Sequence, residues 1–185
     1  MQNRREIRLS GSGGQGILLA GIILAEAALL EGKNAVQSQS YGPEARGGAS
    51  KSEVIISEES IDYPKVTRPE ILMALTEEAY HKYSQGLMAE AILVIDDSIQ
   101  LAEQVPSGVS VVRAPIIQAA AETMKRPIVA NIVALGVLVG ASQIVRRESL
   151  EQAVLNRVPR GTEDLNRQAL SLGFQLAAAA ASGNR

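Results

Sequence analysis

Hydrophobic positions along the chain fall into short apolar runs that alternate with helical stretches. Residues 7–10 read as a first strand, which enters a glycine-rich turn at 11–16. Residues 17–30 follow as a helix of Leu, Ile and Ala, with Glu26 its main polar interruption and Gly32 its stop signal. A helix apolar nearly all round is buried on several sides. Residues 34–40 read as a second strand, 41–48 as a Gly- and Pro-bearing loop, and 50–57 as a third strand centred on Val54, Ile55 and Ile56. Residues 71–75 form a short fourth strand. Thr76 then stands as an N-cap, with Glu77 and Glu78 in the first helical turn. Residues 91–95 read as a fifth strand buried on both faces, and 109–113 as a sixth. From Ala114 onward the pattern is helical, with breaks near Pro127, near Arg146 and at 159–161.

Strands alternating with helices predict an α/β fold. We expect a three-layer α/β/α sandwich, Rossmann-like, with a mostly parallel sheet and a helical C-terminal third. No internal repeat or linker divides the chain, so residues 1–185 are expected to form one domain. Charge is absent from 127–145, between Arg126 and Arg146. Pro127, Asn131, Gly136, Gly140, Ser142 and Gln143 interrupt that run, which favours a buried core or interface helix over a membrane span.

Composition narrows the chemistry. Apolar residues make up 46% of the chain and charged residues 21%, with a net charge of −2. No long basic run appears and aromatics are only 3%, which argues against nucleic acid as a partner. The chain has no cysteine, so it holds no disulfide, no Cys-ligated iron–sulfur cluster and no cysteine nucleophile. A single histidine, His81, excludes a multi-His zinc site within one chain; it is expected on an exposed helix. The N-terminus runs into the first strand without the apolar stretch of a signal peptide, and a cytoplasmic location is expected.

Two glycine loops are the candidate functional features. The first, Gly11-Ser12-Gly13-Gly14-Gln15-Gly16, has G-x-G-x-x-G spacing between a strand and a helix. Its N–H groups and the helix dipole favour an anion. The region after the second strand lacks the acidic residue that binds a dinucleotide ribose, and the lysine of a P-loop is missing. The turn is therefore either an anion or coenzyme site or a tight turn without a ligand. The second loop is Ser40-Tyr41-Gly42-Pro43-Glu44-Ala45-Arg46-Gly47-Gly48. Arg46 suits a planar contact with phosphate or carboxylate, and Gly47 and Gly48 admit another backbone. Alternatively Arg46 pairs with Glu44 or Glu53 in a plain polar loop. Asp96 and Asp97, at the end of the fifth strand, read as a turn or N-cap rather than as ligands of a metal or a ribose, and Asn131 as a core helix contact or a contact with a neighbouring chain, the core role preferred.

Together these loops resemble the gamma subunit, or gamma domain, of the 2-oxoacid:ferredoxin oxidoreductases. The resemblance continues through Ile71 to Leu75, Ala79 to Tyr83, the strand ending in Asp96, and Asn131 to Gly136. The loop at 41–48 is most similar to the 2-oxoglutarate type and to some branched-chain types, where pyruvate enzymes tend to carry a Phe-Gly and Arg-Arg-Gly-Ala version; 2-oxoglutarate is the favoured substrate. What the resemblance implies is a subunit without catalytic residues of its own. Thiamine diphosphate, magnesium and the iron–sulfur clusters would sit in partner alpha and beta chains, with or without a delta chain. Coenzyme A would be a co-substrate and ferredoxin the electron acceptor. Gly11, Gly13, Gly14, Gln15, Gly16, Ser40, Tyr41, Gly42, Pro43, Glu44, Arg46, Gly47 and Gly48 would seat coenzyme A or meet a partner chain. The rival readings are a free-standing nucleotide-binding oxidoreductase and an interaction module with no ligand. Alone, the chain is expected to be colourless and to self-associate through apolar surface on 17–30 and 127–145.

Overall fold

The computed structural model describes residues 4–40, 48–101 and 105–183. Six strands form one mixed sheet: β1 (Arg4–Ser12), β2 (Asn34–Ser40), β3 (Ala49–Ser57), β4 (Ile71–Ala74), β5 (Ile92–Asp96) and β6 (Ser110–Ala114), in the order β2-β3-β1-β4-β5-β6. β1, β4, β5 and β6 run parallel to their neighbours among one another, whereas β3 is antiparallel to both β1 and β2. The expected parallel character therefore holds except at β3. A link as short as 41–48 cannot carry a parallel crossover, which needs about a dozen residues or more.

The helices are α1 (Ile17–Leu30), α2 (Glu77–Tyr83), α3 (Ile116–Gln118), α4 (Ala130–Ser142), α5 (Arg147–Arg157) and α6 (Glu163–Gly183). A π-helical turn, Ala119–Thr123, continues α3, and a short 3-10 turn, Pro127–Val129, leads into α4. Strand alternation explains the layers. Ile7, Leu9, Ile71, Met73 and Val94 join the large core under α1 and α4. Leu72, Ala74, Leu93 and Ile95 point to the other face, where Tyr80 of α2 and Ile99 cover them. The second face is thus covered mainly by one short helix and its flanking loops.

The apolar run at 127–145 is buried over its middle, while Ile128 at its start is 81% exposed. Residues Ala130 through Val139 of α4 are buried, and α6 packs along them through glycines. A Cβ on Gly136 would lie 2.5 Å from the Leu170 carbonyl oxygen, and one on Gly173 would strike the Val133 carbonyl oxygen and lie 2.8 Å from the Gly136 Cα. Backbone meets backbone here. No described helix is long and apolar enough to cross a membrane.

α1 is tied to the C-terminal helices by its two acids. Glu26 accepts hydrogen bonds from Asn156 (2.8 Å) and from Arg157. Glu31 accepts from the Arg146 backbone N–H at 2.5 Å and pairs with Lys33 at 2.9 Å. Burial pushes both carboxyls up, yet these hydrogen bonds and the Arg157 and Lys33 charges outweigh it and hold both below the ordinary value of 4.5. A carboxyl lowered in the folded state stabilises the fold above its unfolded pKa, and that contribution is lost as pH falls through the folded value. Thermal melts are expected to drop in midpoint as pH falls below about 4.5. A Glu26→Gln, Glu31→Gln double variant should show a flatter pH dependence over that window. An unchanged slope would show that neither acid contributes.

Candidate functional site

Every loop that the sequence marks as functional meets the same edge of the sheet. β1 ends at Ser12, paired with Ala49 where β3 begins, and β2 ends at Ser40, paired with Lys51. Both ends of the 41–48 loop therefore stand beside the first glycine turn. Residues 41–47, including Tyr41, Gly42, Pro43, Glu44, Arg46 and Gly47, lie outside the described residues. Gly11, Gly13, Gly14, Gln15, Gly16 and Gly48 are brought together.

The first turn is closed largely by its own atoms. Ser12 N–H donates to Gln15 Oε1 at 2.7 Å, and Gln15 N–H donates back to the Ser12 carbonyl at 3.2 Å. The Gln15 side chain folds over Gly11, where a Cβ would lie 2.5 Å from Oε1. Gly14 (φ 91°) and Gly16 (φ 73°) take left-handed conformations that glycine adopts without strain. Gly16 begins α1 and sits against Asn131, whose Nδ2 donates to the Gly16 carbonyl at 3.3 Å. Asn131 Oδ1 accepts from the Ile132 N–H, so this 4%-exposed side chain fixes a contact between helices.

The base of the second loop is anchored from two sides. Gly13 N–H donates to the Gly48 carbonyl at 3.1 Å, and Ser50 Oγ donates to the Gly11 carbonyl at 3.4 Å. From α2, Glu78 accepts the Ala49 N–H at 3.4 Å and the Tyr83 hydroxyl donates to the Ala49 carbonyl at 3.0 Å. Lys51 and Lys82 each hold an ammonium 5.7 Å from the centre of the Tyr83 ring. Glu78 and Tyr83 were not singled out as site residues from sequence. No local sequence signal marks their contacts to Ala49, which join segments 29 and 34 residues apart.

This geometry bears on the chemistry. A dinucleotide pyrophosphate would use the first N–H groups of such a turn. Two of them, on Ser12 and Gly13, are engaged by Gln15 and Gly48. Those two N–H groups are therefore not free to bind an anion in this arrangement. Glu53 is taken by Arg8 at 2.8 Å and by Lys51 at 2.9 Å. Arg8 also donates to the Tyr83 and Gln85 carbonyls, which locks α2 to the sheet.

The remaining candidates are structural. Asp96 is 1% exposed; its Oδ1 accepts from Ser98 and its Oδ2 from the Ile117 N–H at 2.8 Å, joining the end of β5 to the start of α3. His81 lies exposed on α2 beside Glu77.

Comparison with known proteins follows the same outline. Residues 6–176 match the family model described as pyruvate ferredoxin/flavodoxin oxidoreductase. The 2-oxoglutarate synthase subunit KorC of Methanocaldococcus jannaschii is 51% identical over 94% of both chains. The gamma subunit of a keto/oxoacid ferredoxin oxidoreductase from Geobacter sulfurreducens superposes with a TM-score of 0.87 at 49% identity, over 96% of this chain and 98% of that one. A 2-oxoglutarate:ferredoxin oxidoreductase from Magnetococcus marinus shares the fold at 24% identity and TM-score 0.84, over 95% of this chain and 31% of the longer neighbour. On the family match and on this end-to-end likeness, the chain belongs to the pyruvate ferredoxin/flavodoxin oxidoreductase family.

Proposed function

We propose that this chain is the gamma subunit of a cytoplasmic 2-oxoglutarate:ferredoxin oxidoreductase, in which 2-oxoglutarate, coenzyme A and oxidised ferredoxin give succinyl-coenzyme A, carbon dioxide and reduced ferredoxin. The observation that carries the reading is the end-to-end similarity to a 2-oxoglutarate synthase subunit, at 51% identity over 94% of both chains. The loop at 41–48, similar to the 2-oxoglutarate type and to some branched-chain types, is compatible with it. Thiamine diphosphate supplies the carbanion chemistry and iron–sulfur clusters carry the electrons, both in partner chains. With no cysteine, this chain does not fit a cluster site, so no electron-transfer step is assigned to it.

The role left to the gamma chain is placement. The Gly13–Gly48 bond and the α2 contacts to Ala49 hold the base of the 41–48 loop rigid. Arg46 then meets a negative group at the subunit junction, either a coenzyme A phosphate or a partner carboxylate. The test is reconstitution with alpha, beta and delta partners and a panel of 2-oxoacids. Coenzyme A-dependent viologen reduction should be fastest with 2-oxoglutarate. A preference for pyruvate or 2-ketoisovalerate would sink the substrate assignment while leaving the subunit assignment intact.

A further inference from the structure

We propose that Asn131 is a positioning residue for the enzyme: from the head of α4 it fixes the glycine turn at 11–16, and through that turn the base of the 41–48 loop. The inference rests on the reading of that loop as the contact at the subunit junction.

Asn131 is chemically out of keeping with its helix. Residues 130–139 are buried, and apart from Asn131 they are Ala, Ile, Val, Leu and Gly. A buried amide is costly unless its polar atoms are bonded, and packing alone would be served by another aliphatic side chain. The amide is used at both ends. Its Oδ1 accepts the Ile132 N–H at 3.0 Å within α4. Its Nδ2 leaves the helix and donates to the Gly16 carbonyl at 3.3 Å, 115 positions away in the chain.

Gly16 is shaped to receive it. A Cβ there would lie 2.5 Å from Asn131 Nδ2 and 3.0 Å from its Cγ, so the amide fills the space that a larger residue would need. The same carbonyl accepts the Ala20 N–H at 3.0 Å, the bond that opens α1. Asn131 therefore grips the residue at which turn becomes helix. Behind Gly16, Gln15 is bonded to Ser12 through both its side chain and its N–H, and Gly13 N–H holds the Gly48 carbonyl. The turn is closed on itself, with Asn131 holding one end and Gly48 held by the other. Loosening the grip on Gly16 lets the turn shift, and the base of the second loop shifts with it. A small misplacement of this kind, remote from the reacting atoms, is enough to weaken binding or turnover.

The experiment uses the enzyme reconstituted with its partner chains and two variants. Asn131→Ala removes the whole amide. Asn131→Asp keeps the shape and the acceptor for Ile132 but replaces the donor that faces the Gly16 carbonyl. In both, amide exchange over residues 11–16, read by mass spectrometry, should quicken by about tenfold as the Gly13–Gly48 bond opens more often. Both should also move the quantity that Arg46→Ala moves, the Michaelis constant for coenzyme A or the affinity for partner chains, by roughly tenfold and by more than they lower kcat. Unchanged exchange over 11–16 in the folded variants overturns the proposal. So does faster exchange with both of those quantities unmoved, which sinks the positioning role while leaving the Arg46 reading intact. Loss of the fold in both variants makes the contact purely structural and equally overturns it. An Arg46→Ala variant without effect removes the reading of the loop, and this proposal with it.

Discussion

Replacing Gly173 by Ala is expected to cost the chain about 3 kcal/mol of stability, at the upper end of what overpacking a core usually costs. Intrinsic helix propensity argues the other way, since Ala is favoured over Gly by about 1 kcal/mol in a helix interior. The clash decides the sign. The new methyl group would strike the Val133 carbonyl oxygen and lie 2.8 Å from the Gly136 Cα and 3.0 Å from the Val137 nitrogen. All three are backbone atoms in a buried helix, so no side chain can rotate away. α4 and α6 must separate instead, and the contact of α4 with the main core is lost with them. Folded domains hold only about 5–15 kcal/mol in total. A urea titration should show a large drop in midpoint, and a midpoint unchanged or raised would mean that the two helices do not meet through these glycines.

Arg46→Ala is expected to leave the fold intact and to weaken function. If Arg46 meets a desolvated negative group, its loss removes a charge-assisted contact of about 1.5–3 kcal/mol. That is roughly a tenfold to hundredfold change, read in the Michaelis constant for coenzyme A or in the affinity for partner subunits. The first result assigns the loop to the co-substrate and the second to assembly. Unchanged assembly, turnover and coenzyme A dependence would make the loop a surface turn.

Much of this architecture was legible along the chain, for physical reasons that differ by element. α1 and β2 run over Ile17–Leu30 and Asn34–Ser40, as the apolar periodicity and Gly32 indicated. Thr76 caps α2 by accepting the Ala79 N–H, as its position before Glu77 and Glu78 implied. The reversal of β3 was encoded in the shortness of the 41–48 link rather than in any strand's own pattern. The face-to-face glycines of α4 and α6 were not legible, because contacts between distant segments leave no local periodicity. In the candidate site, the glycine spacing marked the turn but not its use. Only the folded geometry reveals that Gln15 turns back onto Ser12 and that Gly13 holds Gly48. The anchoring of Ala49 by Glu78 and Tyr83 was hidden in the same way, since it joins residues 29 and 34 positions apart in the chain.

The assignment as a gamma subunit is tested most directly by tagging this chain in its native host and purifying what it carries. Alpha and beta partners should come with it, bringing thiamine diphosphate, iron–sulfur absorbance and coenzyme A-dependent oxidation of 2-oxoglutarate, while the same chain produced alone should be colourless. Recovery of the chain without those partners, or a visible cluster absorbance in the pure chain by itself, would contradict the account.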